Sequence, residues 1–247
     1  MISDAVAATE IAEEAGQLLL AVRRGGATGA ELKDAGDRAA HGCIIGRLAE
    51  RFPDDAVLSE EGTAVARDRT AKSRVWIVDP LDGTREFSEP ARDDWAVHVA
   101  LVDGGTLVAG AVALPAQGVT YSSAGPLPAL PAPSAAPRIL VSRTRPTEHA
   151  VAVADALSGE LLPMGSAGAK AMAVVSGRAE VYAHSGGQYE WDSAAPVAVA
   201  RAAGLHVSRL DGSPLAYDQP DPWLPDLLVC RPELADAVIA VCRAVPA

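Results

Sequence analysis

The chain has 247 residues, 49% of them hydrophobic and 21% charged, enough apolar material to bury a core and too much for a disordered chain. Acidic residues outnumber basic ones 32 to 21, and a net charge of -11 leaves no positive surface for a nucleic acid polymer or an anionic membrane. Cys43, Cys230 and Cys242 are odd in number and lack C-x-x-C spacing, so neither a disulfide framework nor a zinc cage is expected, and a reducing cytoplasm fits.

Residues 4–24 place Ile11, Ala15, Leu18, Leu19 and Val22 on one face of a helix, with Gly25-Gly26 as its stop. Glu10, Glu13 and Glu14 interrupt its apolar run, so neither a signal peptide nor a membrane span is expected. Residues 37–52 repeat the pattern through Ile44, Ile45, Leu48 and Phe52, and Pro53 ends it. Residues 56–59 and 74–79 read as buried strands, each running into carboxylates. The segments 95–102, 106–114 and 118–123, joined by Asp103-Gly104-Gly105 and a second turn, read as an antiparallel meander. Residues 124–137 hold five prolines in 14 positions and divide an N-terminal half, 1–123, from a C-terminal half, 138–247. Beyond them come a strand at 138–142, a helix over about 147–158, a short strand before Gly165, a strand at 179–184, a helix from Trp191 to Gly204 and a last helix from Pro232. This order predicts an α/β or α+β fold with two sheets in alternating layers, one continuous catalytic unit.

Asp79-Pro80-Leu81-Asp82-Gly83-Thr84 closes an apolar strand, where Pro80 withdraws a backbone donor and Gly83 permits a tight turn. Two carboxylates that close repel each other unless one protonates or a cation lies between them. Hard oxygen ligands without His or Cys beside them favour Mg²⁺ over zinc. If a helical turn follows Gly83, its free N–H groups can meet a phosphate oxygen at the same place. An Asx or capping turn is the alternative for this segment taken alone. Two further acid clusters, Ser59-Glu60-Glu61 at another strand end and Trp191-Asp192 at a helix start, weight the balance toward a site, although Asp192 also suits a helix cap.

Glu60-Glu61, VWIVDPLDGT (75–84), GSAGAKAMAVVSGRAEVYAH (165–184) and WDSAAPVAVARAAG (191–204) together resemble the signature blocks of the inositol monophosphatase superfamily of metal-dependent, lithium-sensitive phosphatases. Within it, the Ser-Glu-Glu, Thr-Arg-Glu-Phe, Val-Ser-Arg and Gly-Ser-Ala-Gly-x-Lys forms are most similar to the CysQ-type 3'-phosphoadenosine 5'-phosphate phosphatases of actinobacteria. The resemblance implies a layered αβαβα sandwich. It also implies two to three Mg²⁺ ions: one on Glu60, Asp79 and the Leu81 carbonyl, one on Asp79, Asp82 and Asp192, and a third, weaker one touching Glu60, with Glu61 a secondary candidate. Such ions draw charge from phosphoryl oxygens and acidify a water. Family precedent gives that water to Asp37 with Thr84, the carboxylate accepting a proton through the hydroxyl. Asp34 competes with Asp37, and Asp37 as a cap of the second helix stays open.

For the substrate the resemblance offers Gly83, Thr84, Ser142, Arg143, Ser166 and Lys170. Lys170 is one of three lysines in the chain and follows a glycine-flanked turn that could meet a second phosphate. His184 stands where relatives often carry Arg and would hold phosphate only when protonated. Arg92, before Asp93-Asp94, could help fix substrate choice, and the Asp pair reads as a charged loop. His41, His98, His149 and His206 show no metal-ligand spacing and receive no catalytic role. The implied substrate is a small phosphorylated metabolite, 3'-phosphoadenosine 5'-phosphate first, with inositol 1-phosphate and fructose 1,6-bisphosphate as alternatives. The implied enzyme is a monomer or a homodimer.

Overall fold

The computed structural model describes residues 3–62 and 69–245. Helix α1 (Asp4–Arg24) opens on a Ser3 cap, whose hydroxyl accepts from the Val6 N–H, and closes at Gly25. Helix α2 (Gly29–Arg51) begins eight residues earlier than the apolar spacing predicts. Its first turns bury only Leu32 and Gly36, so their periodicity is hard to see in a charged stretch. Asp37 therefore lies inside the helix and does not cap it.

The first sheet has the order β1 (Ala56–Ser59), β2 (Arg74–Asp82), β3 (Ala96–Asp103), β4 (Thr106–Leu114) and β5 (Val119–Ser122). The β1–β2 pair is parallel and the others antiparallel. The second sheet follows the irregular segment 124–137. Its order is β7 (Glu160–Met164), β6 (Arg138–Ser142), β8 (Val181–Tyr189), β10 (Trp223–Cys230) and β9 (His206–Ser208). β6 runs parallel to β7 and β8, and β10 runs antiparallel to both of its neighbours.

Five layers result. α1 and α2 cover one face of the first sheet, burying Ile11, Leu19 and Ile44 against Trp76, Val78 and Leu101. α5 (Ala167–Val175) and α6 (Glu190–Ala202) lie between the sheets, and their apolar residues, Met172, Val174, Val197 and Val199 among them, form one cluster with both inner faces. α4 (Glu148–Leu157) and α7 (Ala235–Ala244) cover the outer face of the second sheet through Val153, Val238 and Cys242. A helix buried on both sides needs apolar residues all round, which is why α5 and α6 read as near-continuous small hydrophobics. The short helix α3 (Thr84–Ser88) leaves β2 through Gly83, whose φ of 86° is a left-handed conformation that glycine adopts without strain.

Candidate active site

Four chain segments meet where β2 ends. Asp79 pairs in register with His98 of β3 and Asp82 with Ala96, with an irregularity between them. The bulge falls at Pro80, which has no N–H for the ladder, and it brings two acids three residues apart to one side. The Leu81 N–H donates to Asp79 Oδ1 at 3.0 Å, an Asx turn, so the turn reading and the site reading both hold at this position. The strand is thus longer than residues 74–79, and its acids sit within a bulged end.

Asp192 arrives from the start of α6. Its Oδ2 accepts from the Tyr189 N–H at 2.6 Å, so the cap anticipated for this residue is present and fixes the carboxylate. Asp79, Asp82 and Asp192 each offer an oxygen within 4.8 Å of the others. This donor set is all carboxylate, mostly withdrawn from water and mutually repelling, which fits a hard divalent cation. Asp79 is pushed well above its usual range by burial and by the charges of Asp82 and Glu60. Asp192 is raised to about 6 by burial and the charge of Asp82.

Asp82 behaves oppositely. Burial alone would raise it, but contact with His98, the Ser166 hydroxyl and the Gly168 N–H hold it down to about 2. The Gly168 and Ala167 N–H groups donate to its carboxylate at 2.6 and 3.1 Å, and Ser166 Oγ donates as well. These donors come from the loop and first turn of α5 (Ala167–Val175), so Ser166 and Asp82 form one unit. His98 Nε2 lies 3.2 Å from Asp82 Oδ2, a charge contact more than a linear hydrogen bond, and Nδ1 meets the Trp191 carbonyl at 3.0 Å. The fully buried His98 is raised by Asp82 despite its burial. Spacing between histidines gave no sign of this residue. The available signal was a polar ring inside the apolar run WAVHVALV, which must find partners when buried.

Glu60, at the end of β1, is exposed as a whole residue. Its carboxyl is nevertheless raised to about 7, by withdrawal from water first and then by the charges of Asp192 and Asp82, with Asp79 offsetting part of the rise. Asp37 reaches the site from α2, which packs closely on α3: a Cβ at Gly36 would lie 2.7 Å from Phe87 and 3.0 Å from Leu81. The half-buried Asp37 is raised to about 6 by loss of solvent and by the charges of Glu61 and Asp34, which places Glu61 beside it. Thr84 Oγ1 donates to the Leu81 carbonyl at 3.3 Å.

A cavity of about 570 Å³ opens on this cluster, lined by Asp82, Ser142, Ser166, Lys170, His184 and Asp192 among others. Lys170 is only 7% exposed, donates to the Ser166 carbonyl at 2.6 Å and lies over the Tyr182 ring. Burial lowers it, and nearby acids, Asp82 first, pull it back. His184 is lowered by burial and meets the Gly187 carbonyl at 2.9 Å, so it faces the cavity as a neutral ring. Arg143 does not line the cavity. Its guanidinium spans Glu89, at 3.0 Å in two contacts, and Glu86 at 3.0 Å, while Arg145 takes the place at the wall. Arg92 is likewise outside, paired with Asp94. Asp94 is buried and accepts from the Gly165 N–H at 2.6 Å, so it braces the Ser166 loop and is no solvated loop charge.

The model of the inositol monophosphatase family matches residues 2–246. A 3'-phosphoadenosine 5'-phosphate phosphatase of Mycobacterium leprae is 47% identical over 99% of this chain and 95% of its own length. A protein of the same description from Mycobacterium bovis is 49% identical over 92% of this chain and 88% of its own. Among solved structures, CysQ from Bacteroides thetaiotaomicron, described as a bacterial member of the inositol monophosphatase family, superposes with a TM-score of 0.77 at 28% identity, covering 92% of this chain and 97% of that one. The family model, the curated relatives and the superposition each span nearly the whole length, and the chain belongs to the inositol monophosphatase family.

Proposed function

We propose that the protein is a cytoplasmic, Mg²⁺-dependent phosphomonoesterase that converts 3'-phosphoadenosine 5'-phosphate to AMP and phosphate, with residues 1–123 and 138–247 as two halves of one catalytic unit. The observation that carries the reading is the Asp79, Asp82 and Asp192 cluster, opening on a cavity that also contains a buried lysine. The mycobacterial relatives supply the substrate.

Asp79, Asp82 and Asp192, with Glu60 and the Leu81 carbonyl, are the groups that would hold two to three Mg²⁺ ions, which when bound neutralise phosphoryl charge and make a water more acidic. Asp82, held ionised by its donors, is a charge that does not have to be created on binding. Lys170, Ser166 and the Gly83-Thr84 amides orient the phosphate esters. Asp37 with Thr84 forms the proton path. A carboxylate raised to about 6 is ionised at neutral pH yet basic enough to take a proton through a hydroxyl. For this the Thr84 hydroxyl must leave the Leu81 carbonyl. Water adds to phosphorus as the bond to the ribose 3'-oxygen breaks. His184, neutral where a cation would serve a second phosphate, leaves Lys170 and Arg145 as the cations available there.

The test is kcat/KM for 3'-phosphoadenosine 5'-phosphate, inositol 1-phosphate and fructose 1,6-bisphosphate under the same Mg²⁺ concentration. The nucleotide is expected to lead by about tenfold or more, a difference of about 1.4 kcal/mol in transition-state binding. Preference for either sugar phosphate overturns the substrate, and turnover of none of them in the presence of Mg²⁺ overturns the enzyme.

A further inference from the structure

Beneath the start of α6 lies a buried charged network that the metal and phosphate chemistry does not use. Arg69, between β1 and β2, and Glu190, on the first turn of α6, are 2% and 1% exposed. The Arg69 guanidinium pairs with Asp218 and donates to the Gln219 carbonyl at 2.7 Å. The Glu190 carboxylate accepts from the N–H groups of the same two residues, Asp218 at 2.7 Å and Gln219 at 2.8 Å. The segment 217–222, between β9 and β10, is thereby clamped from two sides. It meets α6 twice more: the Glu190 N–H donates to the Pro222 carbonyl at 2.8 Å, and the Tyr217 hydroxyl lies 3.1 Å from Ser193 Oγ.

Charges withdrawn from water in this way stabilise a fold less well than apolar packing of the same volume, and what they supply is a fixed geometry. Asp218 shows the constraint, since its φ of 61° is a left-handed conformation that a residue other than glycine keeps only when its surroundings impose it. The element held is the first turn of α6, on which Asp192 follows Glu190 by two positions. Arg69 leads into β2, which starts at Arg74 and carries Asp79 and Asp82. The network therefore joins the strand that bears two acids of the cluster to the helix that bears the third. We propose that Arg69 is a positioning residue for Asp192: through Asp218, Gln219 and Glu190 it sets the first turn of α6 where Asp192 shares a divalent cation with Asp79 and Asp82. The inference rests on the metal reading of that cluster given above. Arg69 does not line the cavity, so its effect falls on metal affinity and not on the chemical step.

The test is calorimetric titration of Mg²⁺ alone into the full-length protein and its Arg69→Met, Arg69→Lys and Asp218→Asn variants, with kcat for 3'-phosphoadenosine 5'-phosphate measured at low and at saturating Mg²⁺. Arg69→Met is expected to weaken Mg²⁺ about tenfold, the size of effect carried by residues behind a metal ligand, and Arg69→Lys to recover part of the loss. Asp218→Asn loses the ion pair but keeps a residue that tolerates the left-handed turn, so it folds even if Arg69→Met does not, and it weakens Mg²⁺ in the same direction. At saturating Mg²⁺ the kcat of each variant is expected to return to within about twofold of the parent, because Asp192 is displaced and not removed. A lower melting temperature with unchanged Mg²⁺ affinity in the folded variants would leave the network a structural tie only and overturn the proposal. A loss of kcat that saturating Mg²⁺ does not restore would overturn it as well. If Mg²⁺ affinity falls in the variants while the wild type hydrolyses no phosphate ester, the positioning role stands and the proposed reaction falls. If the wild type hydrolyses the nucleotide and the variants bind Mg²⁺ as tightly as it does, the reverse holds.

Discussion

Three neighbouring carboxylates differ sharply because their partners differ. Asp79 and Asp192 see mainly burial and the charge of Asp82, while Asp82 is ringed by Ser166, Ala167, Gly168 and His98. Asp82→Asn removes the charge of a proposed metal ligand and turns an amide N–H toward donors that need an acceptor. The expected result is a fall in kcat of about a hundredfold or more, since electrostatic groups at phosphoryl transfer carry effects of this size. Stability is expected to drop by about 1–3 kcal/mol from the unmet donors, leaving the protein folded at room temperature. Steady-state phosphate release with urea unfolding of the same variant checks both, and ordinary turnover in the folded variant would sink the site assignment. The acids were legible in the sequence because D-P-x-D-G-T is local. His98 was not, since what marks it is burial, and burial belongs to the packed fold.

At the scale of elements, the strongly periodic ones were readable: α1 by its single apolar face, and β3 to β5 by their turns at Asp103-Gly104-Gly105 and Gly118. β9 and β10 were missed. β9 has three residues, and β10 carries Pro225 and Asp226 at an irregular register against β8, which breaks the alternation that signals a strand. β8 runs on to Tyr189, past the end read from the sequence, through two glycines that resemble a turn. The packing of α5 on β3 also went unseen, although it holds the site together. Gly168 lies so close to His98 that a Cβ would fall 2.0 Å from Nε2, and the same residue's N–H holds Asp82. Gly168→Ala must push His98 or the first turn of α5 away. The expected outcome is a loss of about 1–3 kcal/mol in stability, typical of overpacking. A fall in kcat beyond tenfold is also expected, because Asp82 loses its geometry. Thermal melts and turnover measured together check this: a variant as stable and active as the parent would show that the α5 turn does not brace the site.

Part of the net charge of -11 sits at a carboxylate cluster suited to cations. Without metal, folding forces Asp79, Asp192, Glu60 and Asp37 toward their protonated forms, with Asp192 and Asp37 near 6 and Glu60 near 7. A carboxyl whose folded pKa is raised contributes stability that is full below its unfolded value, near 4, and is lost as pH rises through the folded value. Asp82, held down to about 2, has the opposite sign, but its effect is confined below pH 4. His184, lowered by burial, opposes the four acids as a single group. The metal-free protein is therefore expected to lose stability between pH 5 and pH 8. The Mg²⁺ proposed for this cluster would replace the protons these acids otherwise keep, so its binding is expected to strengthen as pH rises. Millimolar Mg²⁺ should raise Tm more at pH 8 than at pH 5.5, with about 2–4 °C for each kcal/mol in a chain of this size. Thermal melts at both pH values, with and without Mg²⁺, read the difference directly. An equal rise at both, or the same rise in Asp82→Asn, would mean that the ion stabilises the protein somewhere other than this cluster.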